Sequence, residues 1–136
     1  MRITAKAEYA CMAMISLAQL QSENRPVHIK AIADEQSIPL STLTQVLLKL
    51  KGAGLVRSAR GSAGGYWLAR PPEEIKLGEV LTAIDGHNGV ARELPGAAAR
   101  VLASVWHHIQ EREREVLTET SIAQLAGKSR SLNWVI

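Results

Sequence analysis

The chain has 136 residues, of which 46% are apolar, a formal net charge of +3 and a single cysteine. This length suits one domain with a modest core, or one small domain with an accessory helix. No run of about 18 apolar residues occurs, which argues against a membrane span. The single cysteine, Cys11, excludes an internal disulfide framework and favours a reducing, cytoplasmic location.

The positive charge is concentrated in the first half of the chain. Residues 1–76 hold ten Lys and Arg against six Asp and Glu, a balance of +4. Residues 77–136 hold six against seven, a balance of −1. The N-terminal half is therefore the better candidate for contact with a polyanion, although a merely solvated basic face has the same composition.

Three helices are predicted before residue 54. Thr4 is a favourable N-cap for a first helix that runs to about Leu20, whose apolar side chains recur at helical spacing. A second helix fits residues 29–36, and Pro39 then indicates a break, because proline disfavours a helical predecessor. A third helix runs from about Leu40 to Ala53. Its buried stripe is predicted to consist of Leu43, Val46, Leu47 and Leu50.

The second and third helices are short and joined by a tight turn, which is the pattern of a helix-turn-helix unit. In such a unit the later helix lies in the major groove of DNA, with its N-terminal residues toward the bases. The pattern alone is unspecific, since any three-helix bundle can show it. The polar residues of the third helix that lie mostly off its apolar stripe are Ser41, Thr42, Thr44, Gln45 and Lys49.

The segment after the third helix predicts a β-hairpin with arginines along it. Leu55–Arg60 and Tyr66–Arg70 suit two strands, and the five residues between them are glycine, serine and alanine. Arg57, Arg60 and Arg70 can face phosphates, and an arginine near the tip could enter a narrow minor groove. A hairpin directly after a recognition helix is a wing. An ordinary hairpin with solvated arginines is the alternative.

The remainder of the chain predicts a fourth helix at Leu77–Asp85, a loop at Gly86–Gly96 and a long helix from about Ala97 to Leu117. The long helix has no obvious partner inside a small winged domain. We therefore expect it to pack against its copy in a second subunit, with folding back on its own domain as the alternative. The predicted dimerisation residues are Val101, Leu102, Val105, Trp106 and Ile109.

A short last helix is predicted to end near Ala126, and a ten-residue tail follows it. We expect three regions, with a winged helix-turn-helix DNA-binding domain at 1–86, a loop and dimerisation helix at 87–126, and a tail at 127–136. The expected fold class is mainly α with a small β-hairpin, a winged helix-turn-helix domain plus a long dimerisation helix.

Two segments of the sequence resemble a known family. They are MRITAKAEYA at the N-terminus and GLVRSARGSAGGYWLARPPEEIKLGEVLTAIDG from residue 54. Both resemble the Rrf family of bacterial winged-helix regulators, which includes IscR, NsrR and CymR, and the resemblance runs from Met1 to about Ala126. It implies a homodimer that binds double-stranded DNA at a palindromic operator, most often as a repressor.

The resemblance also implies roles for individual residues. The polar residues at the start of the third helix, Ser41 to Gln45, match the base-reading part of the recognition helix. Arg60 matches the wing arginine. The wing tip is matched by Gly61, Gly64 and Gly65, and the residues near the DNA backbone by Thr4, Lys6 and Tyr9.

The chain departs from the family in a segment where many members hold an iron–sulfur cluster. Those members carry three cysteines between the fourth and fifth helices, where this chain has none. His87, His107, His108 and Glu8 are ligands by type, but adjacent histidines on a helix point about 100° apart. We therefore expect no cofactor and no metal. A redox or metal sensor that uses Cys11 or these ligands is the alternative, and a buried structural cysteine is the simpler interpretation.

The end of the chain is apolar and carries a further hypothesis. A partner's pocket could capture an aromatic side chain, a terminal isoleucine and a free carboxylate. Cluster-free CymR-type members end similarly and control cysteine and sulfur metabolism in concert with cysteine synthase. The resemblance therefore implies docking of a cysteine-synthase-like enzyme on Trp134 and Ile136. Packing of both residues against the dimerisation helix is the competing interpretation.

Two other classes of function compete with a transcription regulator. A protein-interaction adaptor would keep this fold without operator binding. An enzyme is not expected, because the sequence has no paired carboxylates in a shared motif, no nucleophile with an orienting base and no phosphate loop. The glycine-rich run at 61–65 leads into a second strand, whereas the dinucleotide-binding fingerprint must lead into a helix.

Overall fold

The computed structural model describes residues 1–20, 25–61, 64–87 and 93–134. Within these ranges it contains six α-helices and one two-stranded antiparallel sheet, which confirms the predicted fold class. None of these helices is long and apolar enough to cross a membrane. The elements are α1 (Ala5–Leu20), α2 (Ile29–Gln36), α3 (Leu40–Gly52), β1 (Val56–Ala59), β2 (Gly65–Leu68), α4 (Leu77–Asp85), α5 (Ala97–Glu119) and α6 (Ile122–Trp134), with a 3₁₀-helix at Pro72–Glu74 before α4.

The core is built around α1, which contacts α2, α3, α4 and α6. Its inner face begins with Ala7, Ala10 and Ala13, which are fully buried and allow the neighbouring helices to approach closely. Met14 and Leu17 continue this face and are also fully buried. Burial of this apolar surface holds the helix-turn-helix unit in one fixed arrangement.

The turn between α2 and α3 is closed by local backbone geometry. Ser37 adopts a left-handed conformation, with φ of 53°, and its N–H donates to the carbonyl of Ala33. Ile38 is buried in the core directly after it. Pro39 precedes the first residue of α3, where the missing N–H costs no helical hydrogen bond. The helices therefore meet through a short, rigid connection.

The hairpin is shorter than predicted and is tied to the helical core. Val56–Ala59 pairs with Gly65–Leu68 in antiparallel register. The N–H of Val27 donates to the carbonyl of Tyr66 at 2.7 Å, and the N–H of Tyr66 donates back at 2.9 Å. This bridge fixes the hairpin against the segment that leads into α2, which sets its position relative to the helix-turn-helix unit.

The last helix is longer than the sequence pattern predicts. The prediction of an end near Ala126 is wrong, because α6 continues to Trp134. Two contacts hold it against α1: the Gln19 side-chain amide donates to the carbonyl of Ala126 at 3.1 Å, and the Arg130 guanidinium donates to the carbonyl of Gln19 at 3.3 Å. The boundaries between the three predicted regions, after residues 86 and 126, stay a prediction. Part of the predicted loop at Gly86–Gly96, residues 88–92, lies outside the described residues.

Candidate nucleic-acid interface

The third helix presents a polar face to solvent on the side opposite its buried stripe. The four residues predicted for that stripe are all buried. On the other side Ser41, Thr44 and Gln45 are exposed, and Thr42 is half-buried at the edge. The Thr44 hydroxyl donates to the carbonyl of Leu40 at 2.9 Å, so this side chain offers an acceptor and a methyl group. The Gln45 amide can donate and accept, which suits an adenine edge in the major groove.

Sequence reasoning missed one residue on this face. Leu48 is 59% exposed, although leucine is usually a core residue. It follows Ser41 by seven residues and Thr44 by four, so helical spacing alone places it on the same face. That spacing is the signal that could have identified it.

Lys49, a predicted DNA contact, also has a partner inside the protein. Its side chain is exposed, and its ammonium group donates to the carbonyl of Ile84 at 3.4 Å. That carbonyl belongs to the last turn of α4, where a cation is favoured by the unpaired carbonyls of the helix end. Lys49 therefore links the recognition helix to α4, and its contact with DNA stays a prediction.

The arginines of the hairpin differ in their surroundings. Arg57 and Arg60 are exposed. In contrast, Arg70 forms an ion pair with Glu79 at 2.7 Å and also donates to the carbonyl of Glu74 at 3.4 Å. Its charge is paired with a carboxylate at the start of α4, and its contact with phosphates stays a prediction.

Glu79 fastens this end of α4. Burial opposes its ionisation, but hydrogen bonds from the Lys76 backbone N–H and the Arg70 guanidinium outweigh that effect, so the pKa of Glu79 lies below its ordinary value. The Lys76 N–H donates to Oε2 of Glu79 at 2.9 Å. The carboxylate thus satisfies a free backbone donor at the helix start and neutralises Arg70.

The glycines of the predicted wing tip do different things. Gly61 is exposed, and its carbonyl accepts the N–H of Gly64 at 2.9 Å, which closes the turn. Gly65 pairs with Ala59 at the loop end of the hairpin and has a φ of 156°, and a Cβ there would collide with the carbonyl of Val27. Glycine at 65 is therefore required by the bridge to the helix-turn-helix unit. Positions 62 and 63 lie outside the described residues.

The N-terminal residues predicted to lie near DNA are placed together by the start of α1. Thr4 is the N-cap, because its hydroxyl oxygen accepts the N–H of Ala7 at 3.1 Å, and it also donates to the Asp85 carboxylate at 2.8 Å. Lys6 is exposed, whereas Tyr9 is half-buried and packs against the core. Their contact with a DNA backbone stays a prediction.

The thiol of Cys11 is poorly suited to redox or metal chemistry. Burial, reinforced by the negative charge of Glu8, raises the pKa of the Cys11 thiol to about 11. The thiolate, which is the reactive and metal-binding form, is therefore scarce at neutral pH. Within the described parts of the chain, no three His, Cys, Asp or Glu side chains are grouped to hold a metal ion. Iron–sulfur clusters are held mainly by several thiolates, and with one cysteine this donor set does not fit a cluster.

The long helix α5 carries an uncovered apolar face. All residues from 100 to 110 are exposed. Beside this face lies a groove of about 1330 Å³ between α4, α5 and the N-terminus, with Leu81 on one wall and Leu117 on the other. The Met1 ammonium group forms an ion pair with Glu113 at 3.1 Å in the same groove. The apolar side chains of the face, between 45% and 66% exposed, are Val101, Leu102, Val105, Trp106, Ile109 and Val116.

The amino-acid sequence matches a family of known regulators. The family model of Rrf2, described as iron-dependent transcriptional regulator, matches residues 3–128. The chain belongs to the Rrf2 family. The resemblance stated from the sequence is thereby confirmed, as are its helix-turn-helix and transcription-regulator character. The family model describes its members as transcriptional regulators.

Several relatives cover nearly the whole Rrf2 domain. Rv1287, an HTH-type protein of Mycobacterium tuberculosis, is 41% identical over 133 residues, which cover 93% of this chain and 82% of Rv1287. IscR of Serratia proteamaculans is 35% identical over 132 residues, covering 93% of this chain and 80% of IscR. The solved structure of CymR, the global cysteine regulator of B. subtilis, superposes with a TM-score of 0.85 at 30% identity, covering 94% of this chain and 98% of CymR.

Proposed function

We propose that this Rrf2 protein is a homodimeric, sequence-specific DNA-binding transcription regulator. The observation that carries the proposal is the exposed polar face of α3, formed by Ser41, Thr44 and Gln45. It belongs to the second helix of a helix-turn-helix unit, and two exposed arginines, Arg57 and Arg60, lie in the hairpin that follows. Side chains of these types suit base edges in the major groove and phosphates or the minor groove beside it.

The homodimer is supported by the apolar face of α5. A group of six large apolar side chains exposed on one helix is typical of a protein–protein contact. Packing each α5 against its copy would cover the face in both subunits with one two-fold interface. Two recognition helices would then be presented to two half-sites, which is the geometry that a palindromic operator requires.

DNA recognition is tested by selecting duplexes from a random pool and measuring affinity for the selected sequence at several salt concentrations. We expect a palindromic sequence and a steep loss of affinity with salt, because phosphate contacts release counterions. Arg60→Ala should weaken binding, and Gln45→Ala should relax the preference at one base pair, each by about 1–3 kcal/mol. Arg100→Ala removes an arginine that is also exposed but lies outside the proposed DNA interface, and it should leave affinity unchanged.

The outcomes separate this proposal from the adaptor hypothesis. No selected sequence, together with a salt-resistant protein complex, would contradict operator binding and favour an adaptor. An Arg60→Ala variant with unchanged affinity would show that the hairpin does not contact DNA. The role of α3 is tested separately by Gln45→Ala.

We further propose that the regulated genes belong to cysteine or sulfur metabolism and that the protein acts as a repressor. Support comes from the similarity to CymR, whose described role is global cysteine regulation.

A cysteine-synthase-like enzyme would dock on the C-terminus. The structure describes the backbone of α6 up to Trp134, while Ile136 lies outside the described residues. Deletion of Ile136 should abolish binding of the organism's cysteine synthase, and unchanged affinity would remove the docking hypothesis.

A further inference from the structure

The apolar residue on the outward face of α3 is not explained by folding. Leu48 is 59% exposed, whereas its neighbours Val46, Leu47 and Leu50 form the buried stripe. At about 100° per residue, Leu48 lies about 20° from Ser41 and about 40° from Thr44 around the helix axis. It therefore stands near the middle of the polar face rather than at its edge with the core.

The surroundings of Leu48 leave it open to a large partner. Helical side chains lean toward the N-terminus, so Leu48 covers the turn that holds Thr44 and Gln45. One turn later stands Gly52, which has no side chain and nothing within 4 Å of an ideal Cβ. Gly52 therefore places no side chain in the way of a partner that contacts Leu48.

The charges beside Leu48 indicate what kind of surface that is. Lys49 and Lys51 flank it on the same helix and are exposed. A second copy of this chain placed on the same face would bring like charges together, which is unfavourable. A polyanion with an apolar group in its groove is complementary to both features, and in the major groove of DNA that apolar group is the C5-methyl of thymine.

We propose that Leu48 is a specificity residue that contacts the methyl group of one thymine in each half-site of the operator. The inference rests on the proposed DNA recognition and deepens it, because the polar residues of α3 read hydrogen-bonding edges whereas Leu48 distinguishes thymine by its methyl group. Burying one methyl group is expected to change affinity about fourfold.

The test uses the full chain and the duplex selected for it. Each thymine of the selected sequence is replaced, one at a time, by deoxyuridine, which lacks only the C5-methyl, and the dissociation constant is measured for the unaltered protein and for Leu48→Ala. The unaltered protein should lose about fourfold at one thymine per half-site, and Leu48→Ala should show no loss at that position. Leu40→Ala is the matched control, since Leu40 is 46% exposed on the same helix but about 80° away from Leu48.

The outcomes decide the proposal separately from the function on which it rests. Equal effects of deoxyuridine on the unaltered protein and on Leu48→Ala at every thymine would overturn it while leaving operator binding intact. A Leu48→Ala variant with an altered oligomeric mass would also overturn it, because Leu48 would then contact a second copy. Failure to select any sequence would overturn the proposed function and this inference with it.

Discussion

The dimer hypothesis makes a quantitative prediction for Leu102→Ala. Leu102 lies on the apolar face of α5 and is 50% exposed in the single chain. Full burial of a leucine side chain stabilises by about 1.5–3 kcal/mol, so covering the exposed half contributes about 1 kcal/mol. A two-fold interface contains this residue twice. The substitution should therefore cost about 2 kcal/mol of association energy, which raises the dimer dissociation constant about 30-fold.

Sedimentation equilibrium at several protein concentrations measures that constant directly. Leu48→Ala provides the matched control, because it makes the same chemical change at a leucine of similar exposure that lies on α3 and not on α5. We expect its dimer constant to equal that of the unaltered protein. A monomer at every concentration, or the same constant for Leu102→Ala and the unaltered protein, would refute the assignment of α5 as the dimer contact.

The remaining predictions concern stability and reactivity. Gly65→Ala should lower the free energy of unfolding by about 2 kcal/mol or more, because the added Cβ meets a backbone carbonyl. Gly52→Ala within α3 should raise the free energy of unfolding by up to about 1 kcal/mol. Thermal unfolding of both variants measures these changes, and equal shifts of the two would contradict the prediction. Alkylation of Cys11 should stay slow at neutral pH and accelerate up to about pH 11, and a midpoint near pH 8 would restore the thiol-switch alternative. Folding lowers the pKa of Glu79. Its contribution to the stability of the fold is therefore fully present above the pKa of the unfolded chain, and it is lost as the pH falls through the pKa of the folded protein. Glu79→Gln should therefore reduce the loss of unfolding free energy at acid pH, by less than about 1 kcal/mol because the Arg70–Glu79 pair is exposed. An unchanged dependence of the unfolding free energy on pH would contradict this prediction.

The order and type of the elements followed largely from local sequence signals. α2 and α4 have the predicted bounds, and α3 ends within one residue of its predicted end. Apolar periodicity, an N-cap at Thr4 and a proline at the turn act over a few residues each, so they can be recognised without tertiary information. The buried stripe of α3 was predictable for the same reason, because a helix fixes which residues share a face.

The tertiary structure decided the features that depend on distant contacts. Arg70 lies after β2 and pairs with Glu79, nine positions later in α4, a partner that the hairpin pattern did not indicate. The length of α6 depends on contacts with α1 more than a hundred positions earlier in the chain. Local patterns carry no information on such partners, because tertiary packing brings together residues whose separation along the chain is unrelated to their distance in space.

The sequence by itself thus determined that this protein is a winged helix-turn-helix chain of the Rrf2 family, since periodicity, turn residues and the wing pattern are local properties. Only the tertiary structure showed that Gly65 serves the bridge to Val27 and how far Leu48 and the apolar side chains of α5 are exposed. Exposure and steric contact depend on what surrounds a residue, and that is settled only when the whole chain has packed.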